Sequence, residues 1–410
     1  MPVLTNIGQL ACCGISGGQN DIHVFRNAAL AWEGARVSWV GPAAETPARF
    51  ASDLRLDARG RLVVPGLIDC HTHLAFGGWR ADEFEQRISG KSYLDIAKAG
   101  GGILRTVEAT RRMSERELST RCAGFLTEMV KLGVTTVECK SGYGLDLATE
   151  LKLLRAYAAL RQRQPIKLVT TFLAHVVPPE FRQARADYVG QLRREFIPEV
   201  ARERLAEFCD VFVDESAFSL EEARSILQAA VNSGLKPRLH ADQLTNTGAA
   251  ELAAELGAAS ADHLEQVTEA GIAALAGSGV VAVSLPVATL YLGARPMPAR
   301  RLIAAGVPVA ISTDFNPGTA PTFHLPLAMT LACSLQRMTP AEALKGATIY
   351  AAKALSRQAD RGSLEPGMAA DFVVIDASDV NLWLYHFRPN ACLATFIDGI
   401  QVAGSPVRVS

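Results

Sequence analysis

Eight short apolar segments, most of them followed by a helix-like stretch, constrain the fold of this chain more than any other feature. Continuous apolar strands that alternate with helices are typical of a parallel sheet covered by helices. Eight such units over roughly 250 residues match a (β/α)8 barrel better than an open doubly wound sheet. The segments are residues 66–73, 134–140, 167–175, 209–214, 236–242, 258–263, 280–285 and 307–314.

Helical stretches between these segments support the same prediction. Residues 149–161 and 220–233 have helical character, and Gly234 follows the second as a helix C-terminal glycine should. The glycine-rich phosphate-binding turn of a dinucleotide fold is missing after the first segment. The predicted fold class is therefore α/β, with a TIM-like (β/α)8 barrel over residues 65–360.

The two ends of the chain have a different pattern. Short β-like runs separated by glycine and proline occupy residues 27–32, 36–40 and 61–64, and the same style returns at 371–375 and 394–397. We predict that residues 1–64 and 361–410 pair into a small β-sandwich domain beside the barrel.

Composition and charge exclude several classes of partner. The 410 residues include 41 Lys and Arg against 42 Asp and Glu, and this near-neutral balance argues against nucleic acid or an anionic membrane. The longest apolar run, 280–292, is interrupted by Pro286 and is too short to span a bilayer. No signal peptide pattern is visible, and the eight cysteines form no C-x-x-C pair, as in reduced intracellular proteins. We expect a cytoplasmic protein that acts on a small molecule.

Histidines and an aspartate stand where the predicted strands end. The active site of a barrel lies at the carboxyl ends of its strands. Five of the eight histidines fall in these windows, which together contain His71, His73, His175, His240, His263 and Asp314.

The pair His71 and His73 predicts a metal centre. Residues two apart on a strand point to the same face, so both imidazoles are expected to face the barrel mouth. His240 would add a third nitrogen and Asp314 a carboxylate, which leaves a position open for water, as in catalytic sites. Asp314 can also accept the proton of that water. His263 is predicted to stabilise an oxyanion or pass on a proton, although a structural histidine is the alternative.

Longer motifs surround these residues. The general ones are the His-x-His motif after residues 65–69, an Asp-His pair at the sixth strand and a Ser-Thr-Asp at the eighth. More specific stretches are residues 76–80, 99–103, 140–145, 174–179, 240–244 and 313–319. The general motifs are similar to those of the metal-dependent amidohydrolase superfamily, and the specific stretches resemble, within it, the imidazolonepropionase family.

This resemblance implies a mononuclear site with one divalent metal ion per subunit, zinc or iron, held by His71, His73, His240 and Asp314. It implies hydrolysis of the C–N bond of a cyclic amide, with Asp314, His263 and Gln243 as catalytic residues and a homodimer as the common assembly. By match to the family motifs, the residues that contact substrate would be Arg80, Tyr93, Tyr143, His175, Gln243, Asn316, Gly318 and Thr319.

Two other functions are compatible with the residues. One is another amidohydrolase, such as a deaminase of a related nitrogen heterocycle, but Arg80 and Tyr143 suit a carboxylate better than a base edge. The other is a metal-binding barrel without catalysis, which would leave Asp314 and His263 without a role. The residues leave open which metal is bound, and whether His263 or Gln243 assists the attacking water.

Overall fold

Two eight-stranded sheets make up the framework of the computed structural model, which describes residues 1–50, 54–91 and 101–407. The strands are β1 (Val3–Ala11), β2 (Val24–Glu33), β3 (Arg36–Pro42), β4 (Arg55–Asp57), β5 (Leu62–Pro65), β6 (Leu67–Asp69), β7 (Val134–Lys140), β8 (Lys167–Ala174), β9 (Phe208–Phe212), β10 (Lys236–Ala241), β11 (Ser260–His263), β12 (Val281–Ser284), β13 (Val309–Ile311), β14 (Phe372–Ile375), β15 (Cys392–Ile397) and β16 (Ile400–Gly404).

Helices cover the barrel sheet and connect its strands. They are α1 (Ala81–Ile88), α2 (Ile103–Arg112), α3 (Glu115–Lys131), α4 (Leu147–Arg161), α5 (Arg185–Gln191), α6 (Ile197–Arg202), α7 (Leu220–Asn232), α8 (Ala249–Glu255), α9 (Glu269–Leu275), α10 (Pro286–Leu292), α11 (Ala299–Ala304), α12 (Leu325–Gln336), α13 (Pro340–Gly346), α14 (Ile349–Ala354) and α15 (Val380–Tyr385). The two helices predicted from sequence correspond to α4 and α7, and Gly234 has the expected positive φ of 85°.

The predicted barrel is confirmed. Strands β6 to β13 pair in sequence order and in parallel, and each of the eight predicted segments overlaps one of them. Almost every residue of these strands is buried, since side chains fill the barrel on one face and helices cover the other. The carboxyl ends of the strands therefore meet at one mouth.

The barrel closes between its first and last strands in an irregular way. Strand β6 ends at Asp69, whose buried carboxylate accepts hydrogen bonds from Ser312 Oγ, Thr313 N and Thr313 Oγ1. Just beyond it, the amide of Asp314 donates to the carbonyl of His71 at 3.1 Å. The prediction that the two histidines lie on a strand is thus wrong, because the chain leaves the ladder at Asp69 and forms only a single bridge at Thr72.

The second sheet is built from both ends of the chain, as predicted. Its strand order is β16-β15-β14-β5-β1-β2-β3, with β4 paired to β1. Strand β1 lies near its centre although the sequence pattern did not predict it. Since β5 ends at Pro65 and β6 begins at Leu67, we propose the boundary between this small domain (1–64 and 361–410) and the barrel (65–360) at that point. Among the described residues, no helix has the length and apolar character needed to cross a bilayer.

Trp32 is the largest buried side chain of the terminal sheet. Its ring packs against the rings of Phe372 and Phe396, with 5.1 and 5.9 Å between ring centroids. Its Nε1 donates a hydrogen bond to the carbonyl of Gly399 at 3.0 Å. Because β2 belongs to the N-terminal part of the chain and β14 and β15 to the C-terminal part, this cluster joins the two ends.

Replacing Trp32 with alanine is expected to lower the free energy of unfolding by about 3–5 kcal/mol, because it leaves a large cavity between the two ends of the chain. Trp32→Phe keeps a ring in place and loses the hydrogen bond to Gly399, so it should cost less than half as much. Urea denaturation followed by circular dichroism measures both variants. An equal loss of unfolding free energy in Trp32→Ala and Trp32→Phe would contradict this account.

Candidate active site

Four histidines and one aspartate are gathered at the barrel mouth. His71, His73, His240, His263 and Asp314 are each at most 3% exposed. The His71 and His240 rings lie 4.6 Å apart between centroids, and His240 lies 5.4 Å from His73 and 5.3 Å from His263. Residues from four separate parts of the sequence thus form one cluster.

The polar atoms of the cluster face one another. His73 Nε2 is 3.5 Å from His240 Nε2, and Asp314 Oδ1 is 3.4 Å from His71 Nε2 and 3.3 Å from His73 Nε2. The ligand atoms of His71, His73 and His240 all lie within 4.8 Å of one another, and so do those of His71, His263 and Asp314. Nitrogen and oxygen donors that converge in this way can hold a metal ion.

The protonation states of His71 and His73 favour their role as metal ligands. Burial and neighbouring positive charge, chiefly from Lys140, hold the pKa of His71 well below its usual value, and burial and His240 do the same for the pKa of His73. His71 Nδ1 lies 2.6 Å from Asp262 Oδ2, so this nitrogen carries the proton and donates it. His71 Nε2 is then a lone-pair donor, and it has no hydrogen-bond partner within the described ranges.

These observations fit a divalent metal ion. Neutral buried imidazoles and a carboxylate are the donors that zinc and ferrous iron accept. A buried imidazole nitrogen without a partner costs free energy in the absence of a ligand, and a cation would satisfy it. The residues His71, His73, His240 and Asp314 could therefore hold such an ion.

Asp314 and His263 adopt an uncommon backbone conformation. Their φ angles are +56° and +83°, in the region that non-glycine residues rarely occupy. Asn316 Nδ2 donates to the Asp314 carbonyl at 2.6 Å. Burial lowers the pKa of His263, but the carboxylates of Glu265, 3.6 Å from its Nδ1, and of Asp314 and Asp262 together outweigh burial, and the pKa is raised. Burial raises the pKa of Asp314.

Tyr143 and His175 lie beside the histidine cluster. The His175 ring is 5.4 Å from both the His73 and the Tyr143 rings. His175 Nδ1 is 3.1 Å from the carbonyl of Gly142, in the glycine-rich turn that carries Tyr143. This turn is held by the buried Glu150 carboxylate, which accepts hydrogen bonds from the amides of Gly142, Gly144 and Leu145 at 2.7, 2.7 and 2.9 Å.

Arg80 lies against the loop that follows the eighth strand. Its side chain is 8% exposed, and its guanidinium packs so closely on Gly318 that a Cβ atom there would displace it. Asn316 Oδ1 accepts from the amides of Gly318 and Thr319 at 2.8 and 2.7 Å, which fixes the loop. The Arg80 Nε atom has no hydrogen-bond partner among residues that the structure describes.

Two predicted substrate residues have less defined surroundings. Gln243 is half-buried in the turn after β10, three positions beyond His240. Tyr93 lies outside the described residues, so its predicted contact with substrate stays a prediction.

Sequence reasoning missed the carboxylates around the site. Asp210, Asp262, Glu265 and Glu150 are all buried, and the first three lie 3.0, 2.6 and 3.6 Å from a cluster histidine. For Asp210 and Asp262, a charged residue inside an apolar strand segment is the signal that could have identified them, whereas Glu150 lies on α4 and has no such signal.

A parallel barrel whose mouth holds converging histidines and an aspartate defines the amidohydrolase class of hydrolases, and the amidohydrolase family model matches residues 62–402. Imidazolonepropionase from Myxococcus xanthus is 52% identical over 355 residues, 86% of this chain and 84% of its own length. Imidazolonepropionase from Anaeromyxobacter dehalogenans is 47% identical over 394 residues, covering 95% and 93%. The chain therefore belongs to the imidazolonepropionase family.

Solved structures of other enzymes share the fold. A triazine hydrolase from Arthrobacter aurescens has a TM-score of 0.78 at 16% identity and covers 98% of this chain and 94% of its own. An adenosine deaminase from Xanthomonas campestris, solved with bound zinc, has a TM-score of 0.74 at 19% identity. The match covers 98% of this chain and 92% of the deaminase chain. At these identities the likeness establishes the fold alone.

The purified protein is expected to contain about one divalent metal ion per chain, and His73→Ala should lose most of it, because removal of one ligand weakens a site of this kind strongly. His324 provides a matched control, since it caps α12 through Leu327 and binds Pro389 away from the cluster. Metal analysis after dialysis measures both variants. Full metal content in His73→Ala would contradict the ligand set.

Proposed function

We propose that this protein hydrolyses 4-imidazolone-5-propanoate to N-formimidoyl-L-glutamate by opening the C–N bond of the cyclic amide. The observation that carries the proposal is the identity of 47% over 95% of the chain with a relative named imidazolonepropionase. The histidine–aspartate cluster with Tyr143 beside it, and Arg80 against the loop of Gly318, support it, because the substrate has a polar ring and a carboxylate tail.

The metal would be held by His71, His73, His240 and Asp314, one ion per subunit, with zinc or iron as the candidates. When bound, such an ion lowers the pKa of a coordinated water towards about 7 and polarises a carbonyl group. His263 is the remaining histidine of the cluster, and its raised pKa and its position beside Glu265 suit it to proton transfer better than to metal binding.

Protons are moved by this chain's own residues in the proposed reaction. Asp314 accepts a proton from the attacking water as the new C–O bond forms at the ring carbonyl carbon. The C–N bond then breaks, and the ring nitrogen takes up a proton as it leaves. His263 stabilises the negative charge on the carbonyl oxygen or hands on this proton, and Gln243 orients the water or the ring.

Recognition of the propanoate tail is assigned to Arg80 and Tyr143. A guanidinium and a phenol can form charge-assisted hydrogen bonds to a carboxylate in a buried site. Arg80 has one buried nitrogen atom free of hydrogen bonds to described residues. His175, Asn316, Gly318 and Thr319 would complete the pocket, together with Tyr93.

The assembly and location are proposed from the family resemblance. We expect a homodimer in the cytoplasm, without nucleic acid or membrane partners. All eight cysteines are free, which agrees with a reducing compartment. Light scattering of the purified protein would test the dimer directly.

Incubation of the purified protein with 4-imidazolone-5-propanoate is expected to abolish the absorbance of the ring and produce N-formimidoyl-L-glutamate. Asp314→Ala should reduce kcat by at least about a hundredfold, since it removes both a proposed ligand and the proposed general base. Absorbance and mass spectrometry follow the reaction. No turnover, together with rapid ammonia release from a nucleobase, would contradict the proposal and favour a deaminase.

Arg80→Ala is expected to raise KM about ten- to a hundredfold and to change kcat much less, because Arg80 binds a part of the substrate remote from the broken bond. Steady-state kinetics give KM and kcat separately and so measure the two effects. Arg112→Ala is the control, since Arg112 pairs with Glu108 on the exposed face of α2. A large loss of kcat with an unchanged KM would contradict the role given to Arg80.

A further inference from the structure

Five charged side chains are enclosed in the barrel next to the histidine cluster. Glu138 and Lys140 lie on β7, Asp210 on β9, Arg238 on β10 and Asp262 on β11, and each is 0% exposed. The proposed reaction uses none of them directly.

The two cations bind the carboxylates. Lys140 Nζ lies 2.8 Å from Asp210 Oδ2 and 3.0 Å from Glu138 Oε1. Arg238 Nη2 lies 3.0 Å from Asp262 Oδ2 and also donates to the carbonyl of Cys70 at 2.8 Å. Burial and Arg238 lower the pKa of Lys140, but the nearby carboxylates outweigh them and raise it, so this side chain remains an ammonium ion.

Two of these carboxylates also contact imidazoles of the proposed metal centre. Asp262 Oδ2 is 2.6 Å from His71 Nδ1, and Asp210 Oδ2 is 3.0 Å from His240 Nδ1. Asp210 Oδ1 also accepts from the backbone amide of His240 at 3.0 Å. Asp210 thus lies between Lys140 and His240, and Asp262 lies between Arg238 and His71. Lys140 Nζ is also 3.7 Å from Asp262 Oδ2, farther than its 2.8 Å distance to Asp210.

Stability does not explain the cluster. Buried ion pairs have a desolvation cost that often equals or exceeds their attraction, and apolar packing of the same volume is commonly as stable or more stable. A fixed orientation of the metal-binding histidines is a separate consequence of the same contacts, because partners on the second ring nitrogen determine tautomer and ring direction.

We propose that Lys140 and Arg238 are positioning residues, which fix Asp210 and Asp262 and through them the orientation of His240 and His71 at the metal centre. Lys140 acts mainly on His240, and Arg238 acts mainly on His71. This inference rests on the metal site of the proposed function and not on the identity of the substrate.

Lys140→Met tests the inference, with Lys345→Met as the matched control. Lys345 is also 0% exposed, and it donates to the carbonyls of Ser16, Gly18 and Asp21 in the N-terminal loop. The two variants therefore remove equally buried ammonium groups, but only one of them contacts the histidine partners.

Lys140→Met is expected to weaken metal binding ten- to a hundredfold in competition with a chelator. It should also change the visible absorption spectrum of the cobalt-substituted protein, because the ligand field changes when His240 reorients. Lys345→Met should change neither. Asp210→Asn should weaken metal binding similarly. The double variant Asp210→Asn/Lys140→Met should bind metal no more weakly than the single variant of lower affinity, since both substitutions act on one contact.

Metal affinity within twofold of wild type and an unchanged cobalt spectrum in Lys140→Met would overturn the inference. If Lys140→Met does not fold, Arg238→Gln is judged by the same two measurements, and failure of both to fold would show a purely structural role. Neither measurement needs substrate. A wild-type protein that binds no metal would instead contradict the proposed function.

Discussion

The convergence of buried imidazole nitrogens and a carboxylate on one point is the constraint on which the active site depends. His73 Nε2 and His240 Nε2 stand 3.5 Å apart on buried side chains, and His71 Nε2 has no hydrogen-bond partner among the described residues. Such an arrangement is unfavourable by itself, and a cation bound there would make it favourable. The hydrogen bond from His71 Nδ1 to Asp262 directs the Nε2 lone pair of His71 inwards.

The barrel explains how distant parts of the sequence reach this point. Parallel strands deliver their carboxyl ends to one mouth, so His71, His240, His263 and Asp314 meet without any local sequence relation. The closure between β6 and the segment after β13 adds the hydrogen bond from Asp314 to the His71 carbonyl. Two of the proposed ligands are therefore fixed to each other by the backbone that closes the barrel.

Much of the barrel could be predicted from the sequence because its strands are continuous apolar runs with helices between them. His71 and His73 could be predicted as site residues from their spacing, although they lie beyond the end of β6 and not on it. Strand β1 could not, because Asn6 and Gly8 interrupt its pattern, and Asn6 forms an irregularity with a φ of +52°. Its place near the centre of the terminal sheet depends on pairing with distant strands.

The contacts of the buried charges could not be predicted for a related reason. Sequence patterns assign polar residues to the surface, whereas Lys140, Asp210 and Arg238 point into the barrel, where only the folded structure supplies their partners. Glu150 is another example, since its carboxylate accepts hydrogen bonds from the amides of the glycine-rich turn only when α4 packs beside that turn. Local patterns predict strands and ligands, and tertiary contacts decide which charges support them.

Adenosine deaminase and triazine hydrolase share this fold at identities of 19% and 16%, so the fold alone does not determine the substrate. In the proposed function, specificity comes from residues around the proposed metal centre, and Arg80 and Tyr143 are the residues proposed for it. The proposed reaction nevertheless depends first on the presence of a metal ion at the four proposed ligands. Anomalous diffraction from crystals of the purified protein, recorded at the zinc and iron absorption edges, tests it most directly. The account predicts one strong peak about 2.0–2.2 Å from donor atoms of His71, His73, His240 and Asp314. A peak elsewhere, or no peak in active crystals, would contradict it.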